Sequence, residues 1–159
     1  MSDVPKKVQV IHGPNLNLLG TRDPSMYGTE TLDEINQELE LRATKGGATL
    51  KALQSNLEGE IVSAVQKAGR DSDVLIINPG GYSHTSVAIR DAIDAISIPC
   101  IEVHLSNIHG REEFRRRSIT AEPASGLISG FGALSYYLAL DAALALVEPS
   151  GDESGKGRQ

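Results

Sequence analysis

Short runs of aliphatic and β-branched residues alternate along this chain with stretches of helical periodicity, and that alternation leaves few folds open. The runs are Val8-Gln9-Val10-Ile11, Thr49-Leu50-Lys51-Ala52-Leu53, Val74-Leu75-Ile76-Ile77, Cys100-Ile101-Glu102-Val103 and a shorter one at Gly126-Leu127-Ile128. Strands separated by helices predict βαβ units and a parallel sheet. The third run is apolar throughout, as a central strand covered on both faces should be. Between the runs, Thr31-Leu32-Asp33-Glu34 is a capping box, followed by Leu32, Ile35 and Leu39 on one helical face and a stop at Gly46-Gly47. A second helix carries Ile61, Val65 and Ala68. A third carries Ile89, Ile93 and Ile96 after Ser83-His84-Thr85-Ser86, and Pro99 precedes the fourth strand. A short helix is expected from near Arg111, and a largely apolar one from Ala133 to Val147, suited to burial against the sheet or a neighbouring subunit. The predicted architecture is a flavodoxin-like, doubly wound, five-stranded parallel α/β sheet with helices on both faces, whose ligands bind outside the carboxyl ends of the strands.

The 159 residues suffice for one hydrophobic core. One domain is expected over residues 1–147 and a disordered tail over 148–159, where apolar residues give way to Gly, Ser and charges. Hydrophobic residues make up 40% and charged residues 23%, a globular balance, and no apolar run is long enough to span a membrane. The N-terminal stretch has no apolar core before a cleavage site, and the one cysteine, Cys100, cannot build a disulfide framework; a cytoplasmic protein is expected. The net charge of −6 argues against nucleic acid or an anionic membrane as partners. Any anionic ligand must therefore meet a local arginine cluster or backbone N–H groups.

Parallel strands bring the loops after the first, third and fourth strands to one edge. The first runs from His12 to Gly28, too long for a bare connection, and its Gly and Pro punctuation suits a lid over a ligand. Asn15 in that loop and Asn78 after the third strand serve either turn chemistry or a ligand. Tyr27 is either a packed aromatic or a base. A phenol of pKa about 10 is ionised to about one part in a thousand at neutral pH, so the second role needs roughly 4 kcal/mol from a nearby cation or a less favourable transfer. Arg22, in the same loop, supplies such a cation. His104 is either a core histidine or an acid, and Glu102, two residues earlier on the same side of the strand, is placed to orient it. Arg111 and Arg115 are four apart, on one face of the expected short helix, either solvated or facing an anion. His84 opens a helix, where it caps, packs or meets a ligand, and the N–H groups of Leu105 and Ser106 are candidate carboxylate donors.

Several chemistries lack their motifs. No GxGxxG, GxxxxGK[ST] or HExxH occurs, so nucleotide and zinc sites have little support, and Cys100 reads as packing. No lysine lies in the three loops, which leaves an imine mechanism without an amine.

The loops resemble the type II 3-dehydroquinate dehydratases. The carrying residues are Gly13-Pro14-Asn15-Leu16-Asn17-Leu18-Leu19-Gly20 with Arg22-Asp23-Pro24 and Tyr27-Gly28, Gln54-Ser55-Asn56 with Glu58-Gly59-Glu60, Ile77-Asn78-Pro79-Gly80 with His84-Thr85-Ser86, and Glu102-Val103-His104-Leu105-Ser106-Asn107 with Arg111-Glu112-Glu113-Phe114-Arg115. The resemblance implies reversible dehydration of 3-dehydroquinate to 3-dehydroshikimate through an enolate, by anti elimination, with no cofactor, metal or Schiff base. It implies Tyr27 as the base, with Arg22 lowering its pKa, Asn15 holding the water at the enolate oxygen, and His104, positioned by Glu102, as the acid. Asn78, His84 and Arg115 would bind the ring, Leu105 and Ser106 its carboxylate. Asp91 would enter a neighbouring subunit's site, and Arg111 would support lid or interface. A homo-oligomer, a dodecamer built from trimers, is implied as well. Asp23, Leu57 and Gly81 depart from the family's common Glu, His and Ala, without touching a catalytic position. Two other readings compete: a non-catalytic flavodoxin-like module that binds a small ligand, and a metal-dependent hydrolase using His84, His104 and His109.

Overall fold

The computed structural model describes residues 4–148; the expected tail beyond Glu148 lies outside them. Five strands, β1 (Lys6–His12), β2 (Ala48–Gln54), β3 (Val74–Asn78), β4 (Cys100–His104) and β5 (Gly126–Ser129), form one sheet. They are all parallel, in the order β2-β1-β3-β4-β5. The order reverses direction between β1 and β3, so the connections leave those two strands toward opposite sides and open a crevice at their carboxyl ends. This is the predicted doubly wound, flavodoxin-like architecture.

The helices are α1 (Pro24–Tyr27), α2 (Leu32–Lys45), α3 (Glu58–Asp71), α4 (Val87–Ala95) and α5 (Leu134–Val147). Two apolar layers result from the period-2 alternation of the strands. Val8 and Val10 of β1, Val74 and Ile76 of β3, and Ile101 and Val103 of β4 pack with Ile35 and Leu39 of α2 and Leu140 of α5. Ile11, Leu75, Ile77 and Cys100 face the other way, onto Ile61 and Val65 of α3 and Ile89 and Ile93 of α4. All five residues of β3 are buried. The capping box forms as read: Thr31 accepts from the Glu34 N–H at 3.2 Å and the Glu34 carboxylate accepts from the Thr31 N–H at 3.4 Å.

Three local expectations are corrected. No α-helix starts near Arg111; 3-10 turns at Ile108–Gly110 and Glu113–Arg115 stand there, joined by extended backbone at Arg111 and Glu112. The turn at Ile108 is held by the Asn107 side chain, which accepts from the His109 N–H. Arg111 and Arg115 therefore do not share a helical face. His84 closes a 3-10 turn (Gly80–His84), and α4 opens later, capped by Ser86. Ile96 lies past the end of α4 in extended backbone, swung onto Gly69 of α3, where a Cβ would stand 2.5 Å from the Ile96 Cγ2.

His12, Asn78 and His104 are the last residues of their strands, and His12 pairs with Asn78 in the β1–β3 register. Just beyond, the Gly13 N–H donates to the Asn78 carbonyl at 2.7 Å. A Cβ on Gly13 would stand 2.6 Å from the Pro79 carbonyl oxygen. Gly13→Ala should therefore cost about 1–3 kcal/mol through overpacking, read as a lowered urea midpoint; an unchanged midpoint would show that the seam yields without cost.

Candidate active site

One cleft opens at the carboxyl ends of β1, β3 and β4, where the topology places it. Asn15, Arg22, Tyr27, Asn78, His84, His104, Leu105, Ser106, Arg111 and Arg115 all line it. Glu102 sits behind His104, and Asp91 does not reach the cleft of its own chain.

The β1 loop forms one wall. Asn15 has left-handed backbone, φ 69°, and its N–H donates to Asn56 Oδ1 at 3.0 Å. Gln54 Nε2 donates to the Gly13 carbonyl and to Asn56 Oδ1, each at 3.1 Å, and Tyr82 Oη donates to the Asn56 carbonyl. The Gln54-Ser55-Asn56 segment thus braces the loop that carries Asn15. Further along, Arg22 Nη2 donates to Tyr27 Oη at 3.0 Å, and its guanidinium carbon lies 4.0 Å from the centre of the Tyr27 ring. Arg111 brings a second guanidinium to 5.5 Å from the same ring. A proton leaving this phenol would leave an oxygen already hydrogen-bonded to a cation.

β4 supplies the opposing group. The Glu102 carboxylate has no solvent exposure, and it accepts from Ser118 Oγ and Thr120 Oγ1. His104 Nε2 lies 3.2 Å from Glu102 Oε1, near enough for an ion pair with a charged ring yet out of line for a hydrogen bond. With a protonated ring the contact would be one of charge, and the two hydroxyls hold the carboxylate in place for it. His84 stacks near His104, ring centres 6.4 Å apart, and donates from Nδ1 to the Arg117 carbonyl at 2.8 Å. A carbonyl only accepts, so Nδ1 bears a proton and Nε2 is the free ring nitrogen.

The basic rim gathers around Glu112. Arg115 Nε donates to its carboxylate at 3.0 Å and Arg111 Nε lies 3.6 Å away. The Glu112 backbone N–H, then the two guanidiniums, hold that carboxyl below its usual range. Arg111 also reaches Ser106 Oγ at 3.4 Å. Beside the two arginines lie Leu105 and Ser106, whose N–H groups donate no hydrogen bond among the described residues. The rim thus offers an anion both charge and backbone donors. Asp91 stands elsewhere, on α4 with its side chain 66% exposed beside Arg90.

Sequence reasoning missed the groups beneath Asn78. Asn78 Nδ2 donates to Tyr136 Oη at 3.0 Å, and Tyr136 Oη lies 2.8 Å from His12 Nδ1. His12 Nε2 lies 2.7 Å from Asn36 Oδ1. The signal was present: His12 continues the inward alternation Val8, Val10, so a polar ring had to be facing the helix layer and needed partners there. Burial drives the His12 pKa down to about 4, opposed by the Asn36 hydrogen bond. No group of three or more His, Cys, Asp or Glu side chains among the described residues is arranged to hold a metal ion, and His109 does not line the cleft. Burial, and secondarily Glu102, pushes the Cys100 thiol far up.

Known proteins supply the comparison. The profile of the dehydroquinase class II family matches residues 6–144. A 3-dehydroquinate dehydratase of Desulfitobacterium hafniense is 56% identical over 138 residues, 87% of this chain and 94% of that protein. The crystal structure of a type II dehydroquinase from Propionibacterium acnes has a TM-score of 0.86 at 38% identity, covering 91% of this chain and 99% of that one. A type II dehydroquinase from Butyrivibrio crossotus has a TM-score of 0.85 at 40% identity, with 87% and 97% covered.

The depressed His12 pKa has a measurable consequence. Between its unfolded value of 6.5 and its folded value of about 4, the unfolded chain binds a proton that the native state refuses. Stability therefore falls as pH drops through that window, with a slope of up to about 1.4 kcal/mol per pH unit from this one group. Urea unfolding of His12→Asn beside the parent protein should show this component of the slope gone; equal slopes would mean that His12 titrates normally.

Proposed function

The chain belongs to the class II dehydroquinase family and dehydrates 3-dehydroquinate, and we propose that it does so by anti elimination through an enolate, with Tyr27 as base and His104 as acid. The observation that carries this reading is the pairing of Arg22 with Tyr27 on one wall of the cleft and of Glu102 with His104 on another. The proton beside a ketone is weakly acidic, so its removal needs a strong base and a prepared site for the enolate charge. Tyr27, ionised beside the Arg22 guanidinium, takes the C2 proton, and the electron pair moves onto the ketone oxygen. A water held by Asn15 stabilises that oxygen. The enolate then collapses, the C1–O bond breaks, and His104 gives its proton to the departing hydroxyl, releasing water and 3-dehydroshikimate. Glu102, 3.2 Å from the His104 ring, positions the imidazole for this step.

Asn78, His84 and Arg115 bind the ring hydroxyls and position it, and the Leu105 and Ser106 N–H groups receive the carboxylate. Arg111, reaching Ser106 and the Tyr27 ring, ties the lid to this rim. The substrate is thus a small anionic cyclic hydroxy-ketone acid, handled without cofactor, metal or imine. Among the described residues, none lining the cleft is a lysine that could form one. The reading extends to a cytoplasmic homo-oligomer, a dodecamer of trimers, in which Asp91 of the partner subunit completes each site. Its exposed position on α4 supports that role, as do the exposed Leu127, Phe131, Leu134, Leu138 and Leu146 along β5 and α5.

Purified protein should convert 3-dehydroquinate to an enone that absorbs in the ultraviolet. Tyr27→Phe and His104→Ala should each lower kcat by about 10²–10⁴, the usual worth of a general acid or base, with little change in unfolding midpoint. Near-normal turnover in both variants would refute the roles given to them, and ligand binding without turnover in the parent protein would leave only a binding module. Exhaustive chelation, and borohydride added with substrate, should each leave activity intact; loss under either would bring back a metal or an imine.

A further inference from the structure

The geometry points to a buried, one-way hydrogen-bond chain, Asn78–Tyr136–His12–Asn36, that fixes the Asn78 amide as a donor toward the substrate and makes Tyr136 and His12 positioning residues for it. Its direction is set at the cleft end. Gly80 donates its N–H to Asn78 Oδ1 at 3.0 Å, so the atom facing Tyr136 is the amide nitrogen. Nδ2 donates one hydrogen to Tyr136 Oη. Tyr136, having accepted, gives its own hydrogen to His12 Nδ1, the acceptor within reach. Nδ1 is then bare, the imidazole proton sits on Nε2, and that N–H donates to Asn36 Oδ1. Reversing any link would leave the Tyr136 hydroxyl hydrogen without an acceptor in the core.

The chain crosses from the cleft through the sheet's edge to α2, with each group brought by a separate element: β3, α5, β1 and α2. His12 and Tyr136 have no exposure and Asn78 almost none. Burial holds the His12 ring neutral, as the chain requires, and pushes the Tyr136 phenol above its ordinary range. A buried amide with both heavy atoms committed cannot turn over to present its oxygen. What remains free at Asn78 is the second Nδ2 hydrogen, at the cleft lining. The group met there must be an acceptor, such as a hydroxyl lone pair or the ketone or enolate oxygen. This rests on the substrate-binding role proposed for Asn78.

The test is a double-mutant cycle on kcat/KM for 3-dehydroquinate. Tyr136→Phe keeps the ring and removes the link, and should lower kcat/KM about tenfold, the worth of one misplaced hydrogen bond. In an Asn78→Ala background the same change should cost less than about twofold, because the residue it acts through is gone. An equal loss in both backgrounds, or a loss under about twofold in the parent, would overturn the proposal and reduce Tyr136 to packing. Asn36→Ala, half-buried and outside the cleft, repeats the cycle from the far end should Tyr136→Phe not fold. Exchange of the Asn78 side-chain amide protons with solvent, followed by NMR, is independent of turnover. Tyr136→Phe should speed it at least about tenfold if the hydrogen bond protects it, and unchanged exchange would sink the chain. Absence of turnover in the parent protein would instead strike the dehydratase reading.

Discussion

The seam between β1 and β3 governs the rest of the molecule. There the parallel register ends with His12 opposite Asn78, and one backbone hydrogen bond, from Gly13 to the Asn78 carbonyl, carries the pairing past the last side chains. The strand order reverses at the same place, so the two loops diverge and leave a crevice. Gly13 allows the loops to touch at their roots, with no room for a side chain between them. Every other group in the cleft is placed relative to that fixed corner.

On each face of the sheet one functional side chain is held from behind. Glu102 points to the α3–α4 side of β4, where Ser118 and Thr120 grip its carboxylate next to His104. Asn78 points to the α2–α5 side of β3, where Tyr136 meets it. Period-2 alternation makes this division unavoidable: neighbouring strands present their terminal residues to whichever layer the register dictates. The first wall is built differently. Tyr27 closes a short turn of helix with no buried residue, Arg22 precedes that turn, and beyond the packing of Tyr27 on the core the two side chains meet each other and Arg111. The base proposed for the reaction thus rests on a short surface turn, and the proposed acid on a fully buried strand.

Much of this was legible from the residues. The apolar run at Val74 located the central strand, the Thr31 box located α2, and the topological rule gathered Asn15, Asn78 and His104 before any coordinates. The Arg22–Tyr27 and Glu102–His104 pairs followed from spacing within one loop and along one strand. Less was legible where side chains do what local periodicity does not record. Arg111 and Arg115 meet through Glu112 across two 3-10 turns, so a helical wheel misjudged how they come together. His12 reads as a loop residue and Tyr136 as one position in a largely apolar helix, because the partners that give them meaning are 124 residues apart in sequence. Ser118 and Thr120 carried no pattern, being single hydroxyls in an irregular stretch whose value appears only once Glu102 lies beneath them.

The placement of Cys100 reaches beyond packing. The only thiol in the chain stands at the start of β4, buried and held in its protonated form. Thiolate is the species that attacks peroxide and disulfides, so this sulfur stays out of redox traffic. Among the described residues the one sulfur open to an oxidant is Met26, partly exposed on the turn that carries Tyr27. Among the described residues, oxidative damage to sulfur would therefore register first as a polar sulfoxide on the turn that carries Tyr27, while the sheet beneath stayed chemically untouched.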